Sequence, residues 1–208
     1  MRLLIASQNR GKLKEISSLL ATVGIEAIGM DDYANLVPAQ EDGVTLEENA
    51  IKKAQALVQQ TGLPCLADDS GLMVDALDGR PGVYSARYAG EDASYADNNN
   101  LLLREMQAVP AEKRQAAFCC VMALCYPDGS CHLFEGKLPG YILESLQGDG
   151  GFGYDPLFAV GDSNRSLAQM TIEEKNLISH RGLALQKLLD YFHECGEQPG
   201  HSAQSFFD

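Results

Sequence analysis

From Ala116 to Tyr126 the chain is almost wholly apolar; it then meets the turn Pro127-Asp128-Gly129-Ser130 and resumes from Cys131 to Leu138. A run of that length, closed by a Pro/Gly turn, reads as a long β-hairpin over Gln115 to Leu138 with a buried first strand. The hairpin is expected to build a second lobe of the molecule.

The rest of the chain alternates strand and helix signals. Leu3 to Ala6 is a short apolar run that ends in Ser7-Gln8-Asn9-Arg10-Gly11, after which Leu13, Ile16, Leu20 and Val23 recur at helical spacing. Gly24 stops that helix, and Ile25 to Met30 reads as a second strand of an α/β sheet. Thr45-Leu46-Glu47-Glu48 has the form of a capping box, and the helix it opens ends at Gly62 and Pro64. Cys65 to Ala67 leads as a strand into Asp68-Asp69-Ser70-Gly71, placing two carboxylates at a strand end, and Leu72 to Val74 resumes the apolar pattern. A turn at Arg80-Pro81-Gly82, a helix from Tyr95 to Met106 and a glycine-rich loop from Gly148 to Pro156 follow. A second capping box, Thr171 to Glu174, precedes a last helix marked by Leu183, Leu185, Leu188, Leu189 and Phe192.

With 208 residues the chain is long enough for one large domain or two closely joined lobes. Acidic residues number 29 against 16 basic ones, and the net charge of -13 repels nucleic acid and anionic membranes alike. A polyphosphate is repelled too unless a few cations reverse the potential locally, so individual lysines carry information. The six cysteines show no Cys-x-x-Cys pair and no zinc-finger spacing, so neither a disulfide framework nor a zinc site is indicated. Cys119, Cys120 and Cys125, inside the buried run, read as reduced thiols packed as small hydrophobes in a cytoplasmic protein. No stretch has the ~20 apolar residues of a membrane helix.

Three segments carry chemistry. Ser7, Gln8, Asn9, Arg10, Gly11 and Lys12 stand at a strand-to-helix junction, where backbone N–H groups and the helix dipole hold phosphate oxygens and Lys12 adds a full charge. The segment is no P-loop, because Leu13 stands where a hydroxyl would meet Mg²⁺; a solvated surface loop is the plainer alternative. Glu41 and the Asp68-Asp69 pair are hard oxygen ligands of the kind Mg²⁺ takes, although Asp-Asp-Ser-Gly alone also suits an Asx turn. Phe152, Tyr154, Lys175, His180 and Arg181 supply stacking and donors for a purine with keto oxygens. Singly, Phe152 suits a core and His180-Arg181 a helix start.

Taken together these segments resemble the non-standard purine NTP pyrophosphatases, the inosine triphosphatase family, over nearly the whole chain. The matching stretches are S-Q-N-R-G-K from Ser7, T-L-E-E-N-A from Thr45, A-D-D-S-G-L from Ala67, P-G-V-Y-S-A-R-Y from Pro81, G-G-F-G-Y-D-P from Gly150 and S-H-R-G from Ser179. The resemblance implies an elongated α/β fold: a central mixed β-sheet flanked by helices, in two lobes with the nucleotide in the cleft between them. It also implies a homodimer that uses Mg²⁺ to cleave inosine, deoxyinosine and xanthosine triphosphates to monophosphate and pyrophosphate.

Carried over by position, Ser7 to Lys12 and Lys53 face the triphosphate. Glu41 and Asp69 serve the metal, with Asp68 a further candidate, and Asp69 is the general base. Ser70, Phe152, Gly153, Tyr154, Asp155, Lys175, His180 and Arg181 complete the pocket. Ser7-Gln8 replaces the Thr-Gly of many relatives, which keeps a hydroxyl but makes the backbone less permissive. The Ser-x-Ser-Pro-Arg-Arg opening of the related Maf-type pyrophosphatases is absent. A nucleotide-binding regulator without turnover, or a purely structural protein, are the readings from other classes. Residues 1–195 are expected to form one two-lobed domain, and 196–208 a mobile tail.

Overall fold

The structure, a computed structural model, describes residues 1–7, 9–33, 35–161 and 165–195; within these the side chains of Arg10, Glu15, Ile172, Glu173 and Asn176 are also outside the description. The expected tail, 196–208, and Gln8 lie outside the described residues. In chain order the elements are β1 (Arg2–Ile5), α1 (Arg10–Thr22), β2 (Glu26–Gly29), α2 (Leu46–Thr61), β3 (Cys65–Val74), α3 (Tyr95–Glu105), β4 (Gln115–Cys125), β5 (Cys131–Ile142), β6 (Phe158–Ala159), α4 (Ile172–Ile178) and α5 (His180–Glu194). They build a mixed, six-stranded sheet in the order β2-β1-β3-β4-β5-β6, parallel among the first three strands and antiparallel beyond.

Local chemistry sets most helix ends. The Asn9 side chain accepts from the Gly11 and Lys12 N–H groups to start α1, and the Thr171 and Ser179 hydroxyls accept from Glu174 and Gly182 to start α4 and α5. Thr45 caps α2 through the Glu48 N–H, while the Glu48 carboxylate reaches the Val44 N–H, one residue before the position a capping box would use. Gly62, at φ +66°, ends α2 in the left-handed conformation that glycine adopts without cost.

The period-two pleat of β4 explains its apolar run. Cys120, Met122 and Leu124 pack with Leu66 against Ile16 and Leu20 of α1 and Leu185, Leu188 and Phe192 of α5. Val121, Ala123 and Cys125 point the other way, toward Ala50, Ala54 and Leu57 of α2. A strand covered on both faces has no position left for a polar side chain, and each fully buried leucine stabilises the fold by about 1.5–3 kcal/mol. The far halves of β3, β4 and β5 form another cluster, in which Leu72, Val74, Phe118 and Leu138 meet Leu102 and Met106 near α3 and Phe158 of β6.

Besides the Glu48 contact, the structure differs from the sequence expectations at three further places. The segment Asp68 to Gly71 is not a strand end: β3 runs unbroken through it, paired residue for residue with β4 from Cys65↔Cys125 to Val74↔Ala116. The long apolar partner strand supplies ladder partners throughout, so the turn propensity of Asp-Asp-Ser-Gly is overridden. The hairpin also runs four residues past Leu138, to Ile142. Finally, Cys125 is not a free thiol; it forms a disulfide with Cys131, directly opposite it in the hairpin register with the Cα atoms 4.1 Å apart. Cys65, Cys119, Cys120 and Cys195 are free. No helix among the described residues is long and apolar enough to cross a membrane.

Helix α5 lies so close over β5 that Gly136 has no space for a side chain: a Cβ there would collide with the His180 carbonyl and come within 2.7 Å of the Ala184 nitrogen. Backbone atoms, unlike a flexible side chain, cannot step aside. Gly136→Ala is expected to lower the unfolding free energy by about 1–3 kcal/mol, read as a lower urea midpoint at unchanged m value.

Candidate active site

Strand β1 pairs with β3 only at Leu4↔Cys65 and Ile5↔Leu66, and β3 then continues beyond the end of β1. Beside that edge, which segment 80–85 covers from Gly71 onward, lies a cleft of about 360 Å³, within the usual range for a small-ligand site. Because no strand flanks β3 on this side after Leu66, side chains from both faces of the sheet reach the same opening.

The pleat gives the two adjacent carboxylates separate surroundings. Asp68 pairs with Met122 and so points to the α1 and α5 face; Asp69 pairs with Val121 and points toward α2. Asp68 is buried, and its Oδ2 accepts from Lys12 Nζ at 2.8 Å, Arg181 Nε at 3.5 Å and the Ser70 hydroxyl at 3.4 Å. Burial alone would raise its pKa, but Lys12 and Arg181 outweigh it and hold the carboxyl well below the usual range.

Asp69 accepts from Lys53 Nζ at Oδ1, 2.9 Å, and from Asn49 Nδ2 at Oδ2, 3.2 Å. Lys53 also meets Glu41 Oε1 at 3.2 Å, so one ammonium sits where the two carboxylates converge. Burial raises the Asp69 pKa; Lys53 opposes the shift, and the neighbouring Glu41 charge adds to it. For Lys53, burial pulls downward but is outweighed by Asp69 and Glu41, and the net shift is up.

At the head of α1 the phosphate-type loop is self-capped. The N–H groups of Gly11 and Lys12 donate to Asn9 Oδ1 at 2.9 and 3.2 Å, and the Asn9 N–H donates to the Ser7 hydroxyl at 3.2 Å. Ser7, Asn9 and Lys12 line the cleft.

Across the opening lies the glycine-rich loop. Buried Asp155 holds it, accepting from the Phe152 N–H at 2.8 Å and from Lys175 Nζ at 2.6 Å. Gly151 at φ +72° leaves room for that carboxylate, against which a Cβ would collide. The Tyr154 hydroxyl donates to the Ser85 carbonyl and Asn99 Nδ2 donates to Gly153 O, each at 2.9 Å. Lys175 lies 4.3 Å over the half-exposed Phe152 ring. His180 stacks on Phe118 with centroids 5.0 Å apart, and its buried Nδ1 has no hydrogen-bond partner among the described residues.

Of the residues singled out from sequence, Ser7, Asn9, Lys12, Glu41, Lys53, Asp68, Ser70, Phe152, Gly153, Tyr154, Asp155, Lys175, His180 and Arg181 all line this one cleft. Asp69 adjoins it through Lys53. Gly11 faces Asn9; Gln8 and the Arg10 side chain lie outside the described residues. Sequence reasoning missed Tyr95, Asn98 and Phe118 among the lining residues, and Asn49 behind Asp69. Tyr95 and Asn98, three apart at the start of a helix, share a face, a signal that helical periodicity carries.

Fold and site together define an α/β enzyme that works on phosphoric anhydrides of nucleotides. The Ham1 family model matches residues 3–191, and the chain belongs to that family. It is 52% identical over 190 residues to the dITP/XTP pyrophosphatase of Geobacter sulfurreducens, covering 91% of this chain and 96% of the relative. To a dITP/XTP pyrophosphatase of Thermus thermophilus it is 46% identical over 192 residues, covering 92% of each. Among solved structures it superposes on a HAM1 protein from Coxiella burnetii with a TM-score of 0.88 at 40% identity, covering 93% and 99% of the two chains. The Staphylococcus aureus Ham1 protein gives 0.86 at 38%, covering 95% and 100%.

Burial, reinforced by the charges of Arg181 and Lys175, pushes the His180 imidazole down to about 3. An unfolded histidine binds a proton near pH ~6.5, which the folded one refuses until far lower pH. The stability this residue contributes is therefore complete above ~6.5 and is lost as pH falls toward 3, at up to about 1.4 kcal/mol per pH unit. Urea unfolding at pH 7, 6 and 5 is expected to show a shallower decline for His180→Gln than for the parent; equal slopes would mean that His180 titrates normally in the fold.

Proposed function

We propose that this chain hydrolyses inosine, deoxyinosine and xanthosine triphosphates to the monophosphate and pyrophosphate, removing them before they enter DNA or RNA. The observation that carries this reading is the convergence of Lys12, Lys53, Lys175 and Arg181 on one cleft of a chain whose net charge is -13. Paired there with Asp68, Asp69, Glu41 and Asp155, these cations cancel the acidic charge inside the cleft and offer donors to phosphate oxygens, and a bound metal ion would supply the net positive charge.

In this reading Ser7 to Lys12 and Lys53 take the triphosphate. Asp69 orients and deprotonates the water that attacks the α-phosphorus, pyrophosphate departing on the far side. Burial and the neighbouring Glu41 charge raise its pKa, the direction that makes a carboxylate a stronger base. Arg181 and neutral His180 meet the purine edge, and Phe152 offers a ring face.

Glu41 and Asp69 would hold Mg²⁺, whose charge offsets that of the phosphate oxygens when it is bound. The fit rests on their convergence about the Lys53 ammonium. Two carboxylates are enough for Mg²⁺, an ion that keeps waters and phosphate oxygens as its other ligands. We assign Asp68, committed to Lys12 and Arg181, to positioning those cations rather than to the metal.

One continuous six-stranded sheet, with apolar clusters along its length, supports a single two-lobed domain over 1–195. The cytoplasmic site of action belongs to the same proposal, supported by the free thiols of Cys65, Cys119, Cys120 and Cys195 and opposed by the Cys125–Cys131 disulfide, as does the homodimer implied by the family resemblance. The acidic surface speaks against nucleic acid and anionic membranes as partners.

Donors from Arg181 and His180 match a keto oxygen at ring position six and would face adenine's amino group unpaired, a loss of about 1–3 kcal/mol per group. Catalytic efficiency for inosine triphosphate is therefore expected to exceed that for ATP by about 10-fold or more, and Arg181→Ala is expected to narrow the ratio. Equal efficiencies in the parent would sink the keto reading. An equal loss on inosine triphosphate, ATP and GTP in Arg181→Ala would give Arg181 to phosphate or folding.

Asp69→Asn keeps the shape but removes the base and a metal charge. It is expected to fold, bind nucleotide and lose about 10²–10⁴-fold in turnover, read by pyrophosphate release with and without Mg²⁺.

A further inference from the structure

Asn49 sits on α2, 1% exposed, and both ends of its amide leave the helix. Nδ2 donates to Asp69 Oδ2 at 3.2 Å, and Oδ1 accepts from the Gly43 N–H at 2.8 Å. The fit on the loop side is tight, since a Cβ on Gly43 would lie 2.6 Å from that same Oδ1. Gly43 is two residues from Glu41. A single buried amide thus links the strand bearing one carboxylate to the loop bearing the other.

Asparagine is a mediocre helix former, and a buried amide costs free energy unless both ends are paired. An apolar residue of similar size would serve the helix better, and Ala50, Ala54 and Leu57 do so in the adjoining core. Lys53 also spans the two carboxylates, 2.9 Å from Asp69 and 3.2 Å from Glu41, but its ammonium touches only side-chain oxygens and does not hold the loop backbone. The further ties on this loop lie toward solvent: Lys52 to Asp42 at 2.8 Å, Arg87 to the Glu41 carbonyl at 2.9 Å and the Val44 N–H to Glu48 at 2.9 Å.

We propose that Asn49 is a positioning residue that fixes the Asp69 carboxylate and, through Gly43, its placement relative to Glu41, so that the two act together on one divalent cation. The inference rests on the roles given above to Asp69 and Glu41. An amide is suited to the task because it offers a donor to a carboxylate at one end and an acceptor to an N–H at the other, with no charge of its own. Aspartate at this position would keep the acceptor for Gly43 but set a like charge against Asp69.

The test compares Asn49→Ala, Asn49→Asp and Asp69→Asn with the parent. It measures kcat and KM on inosine triphosphate and thermal unfolding. It also measures Mn²⁺ binding, by electron paramagnetic resonance, to enzyme holding the α,β-methylene analogue of inosine triphosphate.

Both Asn49 variants are expected to fold, to lose about 10- to 100-fold in kcat and to bind Mn²⁺ more weakly by about 10-fold. KM for the nucleotide is expected to stay within about threefold. A folded Asn49→Ala with kcat and Mn²⁺ affinity within about twofold of the parent, beside an inactive Asp69→Asn, overturns the proposal alone. A fully active Asp69→Asn overturns the underlying reading instead. An Asn49→Asp variant that matches the parent shows that the contact with Asp69 is dispensable, and failure of both Asn49 variants to fold assigns the residue to stability; either result overturns the positioning role.

Discussion

One buried anion organises the cleft. Asp68 lies mid-strand, and the cations that compensate it arrive from opposite ends of the chain, Lys12 from the first helix and Arg181 from the last. Removing a charge from water costs several kcal/mol, which good geometry with its partners must offset. The parts of the molecule that bear Lys12 and Arg181 are therefore brought to fixed places around β3. Both cations arrive with their positions set by the one carboxylate oxygen they approach.

Asp155 repeats this logic on a smaller scale across the opening. Its carboxylate gathers a backbone N–H from the glycine-rich loop and the Lys175 ammonium from α4. Lys53 inverts it, being a cation held between the carboxylates of Asp69 and Glu41. Each charged group at the cleft is thus held by another before any ligand arrives, which lessens the rearrangement a bound nucleotide would require.

What could be read from the sequence was whatever chemistry is local. Thr45 and Thr171 announce helix starts because a cap acts within three residues of itself. The apolar run of β4 announces burial because both its faces are covered. What escaped was set by pairing between distant segments. Asp68 to Gly71 looks like a turn until β4 is laid beside it, and Cys125 looks like a packed thiol until the hairpin register places Cys131 opposite. In the cleft, the residue types and most of their numbers were legible. The division of labour between Asp68 and Asp69 was not, because it depends on which face of a continuous strand each one occupies. Asn49 stood within a recognised segment, but its two partners are 6 and 20 residues away, on a loop and a strand.

The ten consecutive β3–β4 pairs bear on how such a chain can change. Side chains alternate along a strand, so adding or losing one residue upstream within β3 would exchange every face downstream. Asp68 would then turn toward α2 and its neighbour toward α1 and α5, each carboxylate meeting the other's cations. Loops around the cleft can lengthen or shorten without that penalty. The strand is an indexed part, in which substitution is open to evolution but insertion is not.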